Sequence, residues 1–136
     1  CLHSTSIGKA ILAFLPEPDR EALLANLAWT AVTPKTITNL DDLRHELERT
    51  RLRGYATDNE ENEIGARCVG VPILDGAGRP LAAISISGPT ARIDNGALGA
   101  MSERLWKASR EISSRLGFDV ATANGASPHP RRVGGV

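Results

Sequence analysis

The chain has 136 residues, of which 41% are hydrophobic and 4% aromatic, and its 16 basic and 16 acidic side chains balance to a net charge of zero. This length supports one domain. A neutral balance argues against a chain that grips a nucleic-acid backbone by itself, because such binding needs a positively charged face.

The cysteines and the hydropathy set further limits. Cys1 and Cys68 are far apart and follow no repeated spacing. This usage indicates neither a disulfide framework nor a metal-binding knuckle, so we expect a reduced, cytoplasmic setting without metal or cofactor. No apolar run approaches the length of a membrane span, and no membrane partner is expected.

The first half of the chain carries helical signals. Three helices are predicted, over residues 7–15, 18–27 and 40–53. Ser4, Thr5 or Ser6 can cap the first helix, and Gly54 suits the left-handed position that ends the third. Between the second and third helices, residues 33–38 are predicted to be extended, because a proline and several β-branched residues fall there.

The second half carries strand signals. Strands are predicted over residues 55–57, 67–74 and 81–87, with an acidic loop over 58–63. The sequence Asp75-Gly76-Ala77-Gly78 predicts a hairpin between the last two strands, and Gly88-Pro89 is expected to end the final strand.

A last amphipathic helix is predicted over residues 95–116. Its expected core side consists of Leu98, Met101, Leu105, Ala108 and Ile112. Residues 119–136 are predicted to be a disordered tail. The order of elements over residues 1–118 predicts an α+β domain in which helices pack on an antiparallel sheet.

Two serines on the last predicted strand stand out. Side chains alternate across a strand, so Ser85 and Ser87 share one face while Ile84 and Ile86 share the other. We expect the serine face to be buried, where an unpartnered hydroxyl costs about 1–3 kcal/mol. These hydroxyls therefore either bond within the protein or with ordered water, or hold a polar ligand. Neither serine lies in the Gly-x-Ser-x-Gly pattern of a nucleophile elbow.

The start of the first predicted helix is a candidate anion site. Free N–H groups at Ser6, Ile7 and Gly8, together with the positive end of the helix dipole, suit an anion, and Gly8 is expected to allow close approach. The alternative is that Ser4 or Ser6 only caps the helix.

Cys68 and the acidic loop each allow a simpler interpretation. Cys68 lies in an apolar strand, where a thiol is usually an inert small hydrophobe, and a nucleophile would need a basic partner. Asp58, taken alone, is a loop residue with its carboxylate in water. The glutamates that follow are expected to form a solvated face, namely Glu60, Glu61 and Glu63.

Several short motifs follow one another from His3 to about Gly117. They are His3-Ser4-Thr5-Ser6-Ile7-Gly8-Lys9-Ala10 with Leu12-Ala13, Thr33-Pro34-Lys35-Thr36-Ile37-Thr38, Arg51-Leu52-Arg53-Gly54-Tyr55-Ala56, Asp58 with Glu60-Glu61, Gly65-Ala66-Arg67-Cys68, Val71-Pro72-Ile73, and Ala82-Ala83-Ile84-Ser85-Ile86-Ser87-Gly88-Pro89 with Arg92. In this order and spacing, the chain resembles the effector-binding domain of the IclR family of bacterial transcriptional regulators.

The resemblance implies a GAF-like fold, in which a twisted antiparallel sheet with helices on both sides closes over a small-molecule pocket. Family members bind operators as dimers or tetramers and respond to small organic acids. The resemblance therefore implies a homodimer or homotetramer with an organic acid effector. It also implies DNA binding only through a helix-turn-helix domain that this sequence does not contain.

The resemblance also implies specific effector-binding residues. In the family, the backbone at the start of the first helix holds the carboxylate of the effector, which corresponds to Ser6 and Ile7 here. The side chains that correspond to the rest of the family site are Asp58, Ala66, Cys68, Ser85 and Ser87.

Some features depart from the family pattern. The family domain begins earlier, with strands that precede His3, so we expect this sequence to lack part of the sheet and one wall of the pocket. Ile7 is bulkier than the small residue of some members, and Gly70-Val71 replaces a frequent Ala-Ala. The size of the effector therefore does not carry over from any relative.

The hypothesis that joins these sites is an allosteric sensor rather than an enzyme. A carboxylate would dock on the N–H groups of Ser6 and Ile7, and its other oxygens would meet the polar strand side chains. Because Asp58 repels an anion, a hydroxy- or keto-acid is expected. Binding changes operator affinity only if the ligand prefers one oligomeric arrangement. The alternatives are an enzyme that uses Cys68 as a thiol nucleophile and a dimerisation module whose pocket has decayed.

Overall fold

The computed structural model describes residues 1–118. In chain order, its elements are α1 (Ser6–Phe14), α2 (Glu17–Ala25), α3 (Leu40–Arg53), β1 (Ala56–Asn59), β2 (Ala66–Leu74), β3 (Pro80–Pro89) and α4 (Asn95–Arg115). The strands form one antiparallel sheet in the order β1-β2-β3. The predicted α+β class is confirmed, and the predicted tail over residues 119–136 lies outside the described residues. None of the described helices is long and apolar enough to cross a bilayer.

The N-terminal helices begin and end where local chemistry requires. Thr5 is the cap of α1, because its extended backbone lets its side-chain oxygen accept the N–H of Gly8 at 3.1 Å. Helix α2 is shorter than predicted and buries only Leu24, while Leu23 is exposed. Helix α2 therefore lies at the surface and contributes one leucine to the core.

Helix α3 has the predicted bounds. The Oδ1 atom of Asn39 accepts the N–H of Asp42 at 2.9 Å, and Gly54 ends the helix at a left-handed φ of 84°. Leu43 and Leu47 are buried in a cluster with residues of α1 and α2. This cluster fixes α3 against the back of α1.

Residues 33–36 form a turn, so the predicted extended structure over residues 33–38 is wrong at its start. Thr36 donates its backbone N–H to the carbonyl of Thr33 at 3.2 Å, and its hydroxyl oxygen accepts the N–H of Thr33 at 2.9 Å. Threonine hydroxyls compete with strand pairing by bonding to nearby backbone groups. Here that local bonding determines the conformation.

The sheet is covered by helices on both faces. Val69, Val71 and Ile86 pack with Leu105 and Trp106 of α4 on one face. On the opposite face there is no space at Gly70, where a Cβ atom would lie 3.0 Å from the carbonyl carbon and oxygen of Ser6. Helix α1 therefore starts directly on the sheet, over β2.

The core side of α4 differs from the prediction. Ala108 is exposed and Ile112 only partly buried, whereas Ser109 and Ser113 are buried. The hydroxyls of these two serines donate to the carbonyls of Pro72 at 2.6 Å and Leu74 at 2.7 Å. A small side chain that bonds to the strand lets the helix lie close to β2, so the serines take the inner positions.

Strand β3 continues through the predicted break. Gly88 pairs with Arg67 and Pro89 with Ala66 at the end of the ladder. Because β3 is an edge strand of the described sheet, a proline that lacks an N–H is tolerated at this position.

Candidate ligand-binding site

Two rows of residues cross the sheet beneath the start of α1. In the first, Asp58 of β1 pairs with Cys68 of β2, which pairs with Ser87 of β3. In the second, Gly70 of β2 pairs with Ser85 of β3. Since alternate residues of a strand share a face, these side chains all lie on the face that α1 covers. The antiparallel register thus gathers residues from three strands under one helix end.

A cleft of about 220 Å³ opens between these rows and α1. Its walls contain every residue that the sequence predicts for the site, namely Ser6, Ile7, Asp58, Ala66, Cys68, Ser85 and Ser87. The cleft also contains Thr5, Asn62 and Glu63, which the prediction missed. Asn62 and Glu63 lie in the loop after β1, and only the position of that loop relative to α1 could have revealed them. Because pockets for drug-sized molecules measure about 300–1,000 Å³, this cleft suits a small ligand.

A larger groove between α2 and α3, of about 360 Å³, contains none of the predicted residues. It is lined mainly by charged side chains, and Arg44 is paired across it with Glu21 at 2.6 Å. The smaller cleft at α1 is therefore the better candidate, because its polar groups converge on one space.

The first turn of α1 offers two backbone donors to the cleft. Thr5 caps the helix, so its side chain takes the N–H of Gly8 and its carbonyl takes the N–H of Lys9 at 3.0 Å. The N–H groups of Ser6 and Ile7 take part in neither bond. They lie at the positive end of the helix dipole, which favours an anion.

Gly8 serves packing rather than ligand approach, so its predicted role is wrong. A Cβ atom at this position would lie 2.4 Å from the carbonyl oxygen of Leu2 and 2.5 Å from its Cα. The missing side chain lets the backbone before α1 cross over the helix.

Asp58 is buried in β1 and is not the solvated loop residue that its sequence context suggests. Only 4% of its surface is exposed. Its Oδ1 atom accepts the backbone N–H groups of Glu61 at 2.8 Å and Asn62 at 3.3 Å. One carboxylate oxygen thus shapes the following turn. Asp58 also contributes to the wall of the cleft.

The acidic loop is not a solvated face either. Glu61 is buried and both its carboxylate oxygens accept hydrogen bonds from the ammonium of Lys9, which is itself fully buried. Burial raises the pKa of Glu61, and the charge of Lys9 opposes that shift. Glu60 pairs with Lys35, and of the three glutamates only Glu63 is exposed. These partners lie far away along the chain, so no local pattern indicates them.

The threonine turn holds the backbone of the same loop. The hydroxyl of Thr33 donates to the carbonyl of Glu60 at 2.6 Å, and the hydroxyl of Thr36 donates to the carbonyl of Glu61 at 2.6 Å. Together with the Lys9 pair, these bonds fix the loop that carries Asn62 and Glu63 to the cleft.

Cys68 is partly buried, with its sulfur 3.0 Å from the hydroxyl oxygen of Ser87. Burial raises the pKa of the Cys68 thiol, Ser87 opposes this, and the nearby charge of Asp58 raises the pKa further. The neighbouring Arg67 donates to Asn59 Oδ1 at 3.0 Å and to the carbonyl of Ile93 at 2.8 Å. This environment keeps the thiol protonated and is unsuited to nucleophilic catalysis.

Ser85 and Ser87 are exposed, contrary to the expectation of a buried serine face. The reason is the position of β3 at the edge of the described sheet, with α1 covering mainly the neighbouring strand β2. Their hydroxyls are accessible from the cleft.

The charges around the cleft restrict the ligand. Among residues 1–118, its lining includes two carboxylates, Asp58 and Glu63, and no lysine, arginine or histidine. Among the described residues, no group of three or more His, Cys, Asp and Glu side chains could hold a metal ion. An acid bound here depends on neutral donors and must present a polar group, not a second anion, to Asp58.

Comparison with known proteins identifies the domain. The family described as bacterial transcriptional regulator IclR, C-terminal, matches residues 1–114. The HTH-type transcriptional regulator XynR of Escherichia coli K12 is 41% identical over 117 residues, which cover 86% of this chain and 46% of that protein. The chain thus spans less than half the length of this relative.

Solved structures agree with this match. The Thermotoga maritima IclR structure has 48% identity and a TM-score of 0.82 over 86% of this chain and 47% of that one. The inducer-binding domain of a PobR double mutant from Acinetobacter, in complex with 3-hydroxybenzoic acid, has 26% identity and a TM-score of 0.72 over 82% of this chain and 65% of that one. XynR is named as a transcriptional regulator and PobR as a transcription factor. The chain therefore belongs to the IclR family of bacterial transcriptional regulators and contains its C-terminal, effector-binding domain.

Proposed function

We propose that the domain senses a small hydroxy- or keto-carboxylic acid that binds in the cleft between α1 and the sheet. The observation that carries this proposal is the polarity of the two walls. The α1 wall offers the N–H groups of Ser6 and Ile7 at a helix start, and the sheet wall offers hydroxyls beside the buried carboxylate of Asp58. A carboxylate suits the first wall and a hydroxyl suits the second.

The PobR complex supports this class of ligand. Its 3-hydroxybenzoic acid carries one carboxyl and one hydroxyl group, as the two walls of the cleft require. The cleft of about 220 Å³ limits the ligand to a small acid.

The wider activity follows from the family. In the cytoplasm, the acid would change operator affinity of the full regulator by favouring one arrangement of a homodimer or homotetramer, with DNA contacted through a helix-turn-helix domain. A ligand shifts such an equilibrium only by its difference in affinity for the two arrangements. The acid must therefore contact groups that move between them.

A thermal-shift and calorimetric screen over small hydroxy-, keto- and aromatic acids tests the proposal. We expect at least one acid to raise the Tm of the wild-type chain and the Ser85→Ala/Ser87→Ala variant to lose most of that increase. Ser114→Ala, which removes an exposed hydroxyl of α4 outside the cleft, is the matched control. Stabilisation that is absent for every acid, or unchanged in the double variant, would count against the proposal.

A further inference from the structure

The side-chain amide of Asn62 is a polar group of the cleft that the proposed function does not use. Asn62 lies in the loop after β1, is partly buried and lines the cleft. Of the described residues that line the cleft, Asn62 alone has a side chain with a nitrogen donor. The other polar side chains there carry oxygen or sulfur.

A buried serine sets the orientation of this amide. Ser4 has no exposed surface, and its hydroxyl donates to the Oδ1 atom of Asn62 at 3.0 Å. The backbone N–H of Asn62 is also held, by Oδ1 of Asp58 at 3.3 Å. Because Oδ1 is taken by Ser4, the Nδ2 group is left to face other partners.

That Nδ2 group is free to bind. Within residues 1–118, the Nδ2 atom of Asn62 takes part in no side-chain hydrogen bond. It is also not buried, because the one buried side-chain nitrogen or oxygen without a partner in this part of the chain is His3 Nδ1. It is therefore reachable by a ligand. The hydroxyl of Thr5, in contrast, already donates to the carbonyl of Cys1 at 2.8 Å and accepts the N–H of Gly8.

The chemistry of Asp58 makes a neighbouring donor necessary. An ionised carboxylate only accepts hydrogen bonds, so Asp58 can receive a ligand hydroxyl but repels a keto oxygen. An amide N–H beside it can donate to either oxygen. A hydroxyl between the two residues can donate to Asp58 and accept from Asn62 at the same time.

We propose that Asn62 is a specificity-determining residue of the effector site, and that its Nδ2 group donates to the hydroxyl or keto oxygen of the bound acid. This inference rests on the proposed function. Ser4 is a positioning residue that acts through Asn62. Asn62 thereby favours an acid with an oxygen at this position over the acid without one, and the acceptor Asp58 beside it adds a preference for the 2-hydroxy acid over the corresponding keto acid.

Isothermal titration of the wild-type chain with lactate, pyruvate and propionate, and with 3-hydroxybenzoate and benzoate, tests the inference. Asn62→Ala is expected to weaken binding of the hydroxy acid by about five- to tenfold, the effect of one neutral hydrogen bond, and to reduce its advantage over the deoxy acid. Asn62→Asp is expected to weaken it further, because both partners of the hydroxyl are then acceptors and the charge repels the carboxylate. Asn26→Asp makes the same charge change on exposed surface and should bind as wild type.

Ser4→Ala separates positioning from binding. It should weaken binding less than Asn62→Ala does, and adding it to Asn62→Ala should cost no further affinity, because Ser4 acts only through the amide. The melting temperature of each free variant shows whether the fold is intact. If Asn62→Ala and Asn62→Asp bind the hydroxy acid within twofold of wild type, the role of Asn62 is wrong although the proposed function stands. If no acid binds the wild-type chain, the proposed function itself fails, and the role of Asn62 with it.

Discussion

The ammonium group of Lys9 lies 2.6 Å from Oε2 and 2.8 Å from Oε1 of Glu61, and the Lys9 side chain has no exposed surface. Lys9 belongs to α1, which carries the backbone donors of Ser6 and Ile7. Glu61 belongs to the loop that follows Asp58. The pair therefore joins the two walls of the cleft and fixes their separation.

Removal of either partner of this pair should be strongly destabilising. Lys9→Met and Glu61→Leu each leave a buried charge without its counter-ion, so we expect each to lower the free energy of unfolding by about 3–5 kcal/mol. The double variant Lys9→Met/Glu61→Leu should recover much of this loss, since well-packed apolar groups often replace a buried pair at little cost. Urea unfolding of the four proteins measures the coupling.

An exposed pair provides the control for that cycle. Glu111 and Arg115 lie 2.7 Å apart on the surface of α4, and Glu111→Gln should change stability by less than about 1 kcal/mol. If the two single substitutions at Lys9 and Glu61 were additive in the double variant, the pair would not be a coupled unit.

Two helical glycines should respond in opposite directions to alanine. Gly99→Ala in α4 meets no atom within 4 Å and should stabilise the protein by about 1 kcal/mol through helix propensity. Gly8→Ala in α1 places Cβ 2.4 Å from backbone oxygen of Leu2, and we expect overpacking to cost about 1–3 kcal/mol, which outweighs the propensity gain. The melting temperatures of both variants test this prediction. A stabilised Gly8→Ala protein would show that the backbone at Leu2 shifts to make room for the added Cβ atom at little cost.

The reactivity of Cys68 should report the environment of the cleft. In a Cys1→Ser background, the rate of iodoacetamide alkylation follows the thiolate fraction of Cys68, whose pKa is raised foremost by burial. The alkylation rate should therefore be low at pH 7. It should still increase with pH above pH 9, beyond the usual pKa of a thiol, which is about 8.5.

Substitutions on either side of Cys68 should shift this profile oppositely. Asp58→Asn removes a charge that raises the pKa of the thiol, so the profile should move to lower pH. Ser87→Ala removes the hydrogen bond that lowers the pKa, so the profile should move to higher pH. Rapid labelling of the parent protein at pH 7 would instead indicate an activated thiolate.

The cleft should discriminate against a second negative charge on the ligand. Because Asp58 and Glu63 line it and no basic side chain of the described residues does, dicarboxylates should bind at least about tenfold more weakly than hydroxy-monocarboxylates of similar size. Titrations with lactate and malonate at equal ionic strength compare the two classes. Glu63→Gln should reduce the difference in affinity between lactate and malonate. If the wild-type protein binds malonate more tightly than lactate, the charge argument is wrong.

Local signals were sufficient where one residue decides the conformation. Asn39 and Gly54 define α3 through a side-chain cap and a left-handed φ of 84°, and both features are visible in the sequence. The period of two in β3 likewise places Ser85 and Ser87 on one face, and their grouping with Cys68 follows from pairing with the adjacent strand.

Long-range partners explain the errors. The turn at Thr33 to Thr36 is also held from outside, since the hydroxyl of Thr36 donates to the carbonyl of Glu61. Glu61 is buried because Lys9 is available within the fold. Ser109 takes a core position because it bonds to the carbonyl of Pro72. Each partner lies outside the window that a periodic pattern samples.

The two faces of β2 and β3 separate the packing of the core from the lining of the cleft. Val69 and Ile86 pack on α4, whereas Cys68 and Ser87, their immediate neighbours, face the cleft. If the proposed function holds, a substitution at Ser87 alters which acid is recognised without disturbing the packing that keeps the chain folded. New chemical preferences can thus arise by single steps along one side of a hairpin, while the other side preserves the scaffold.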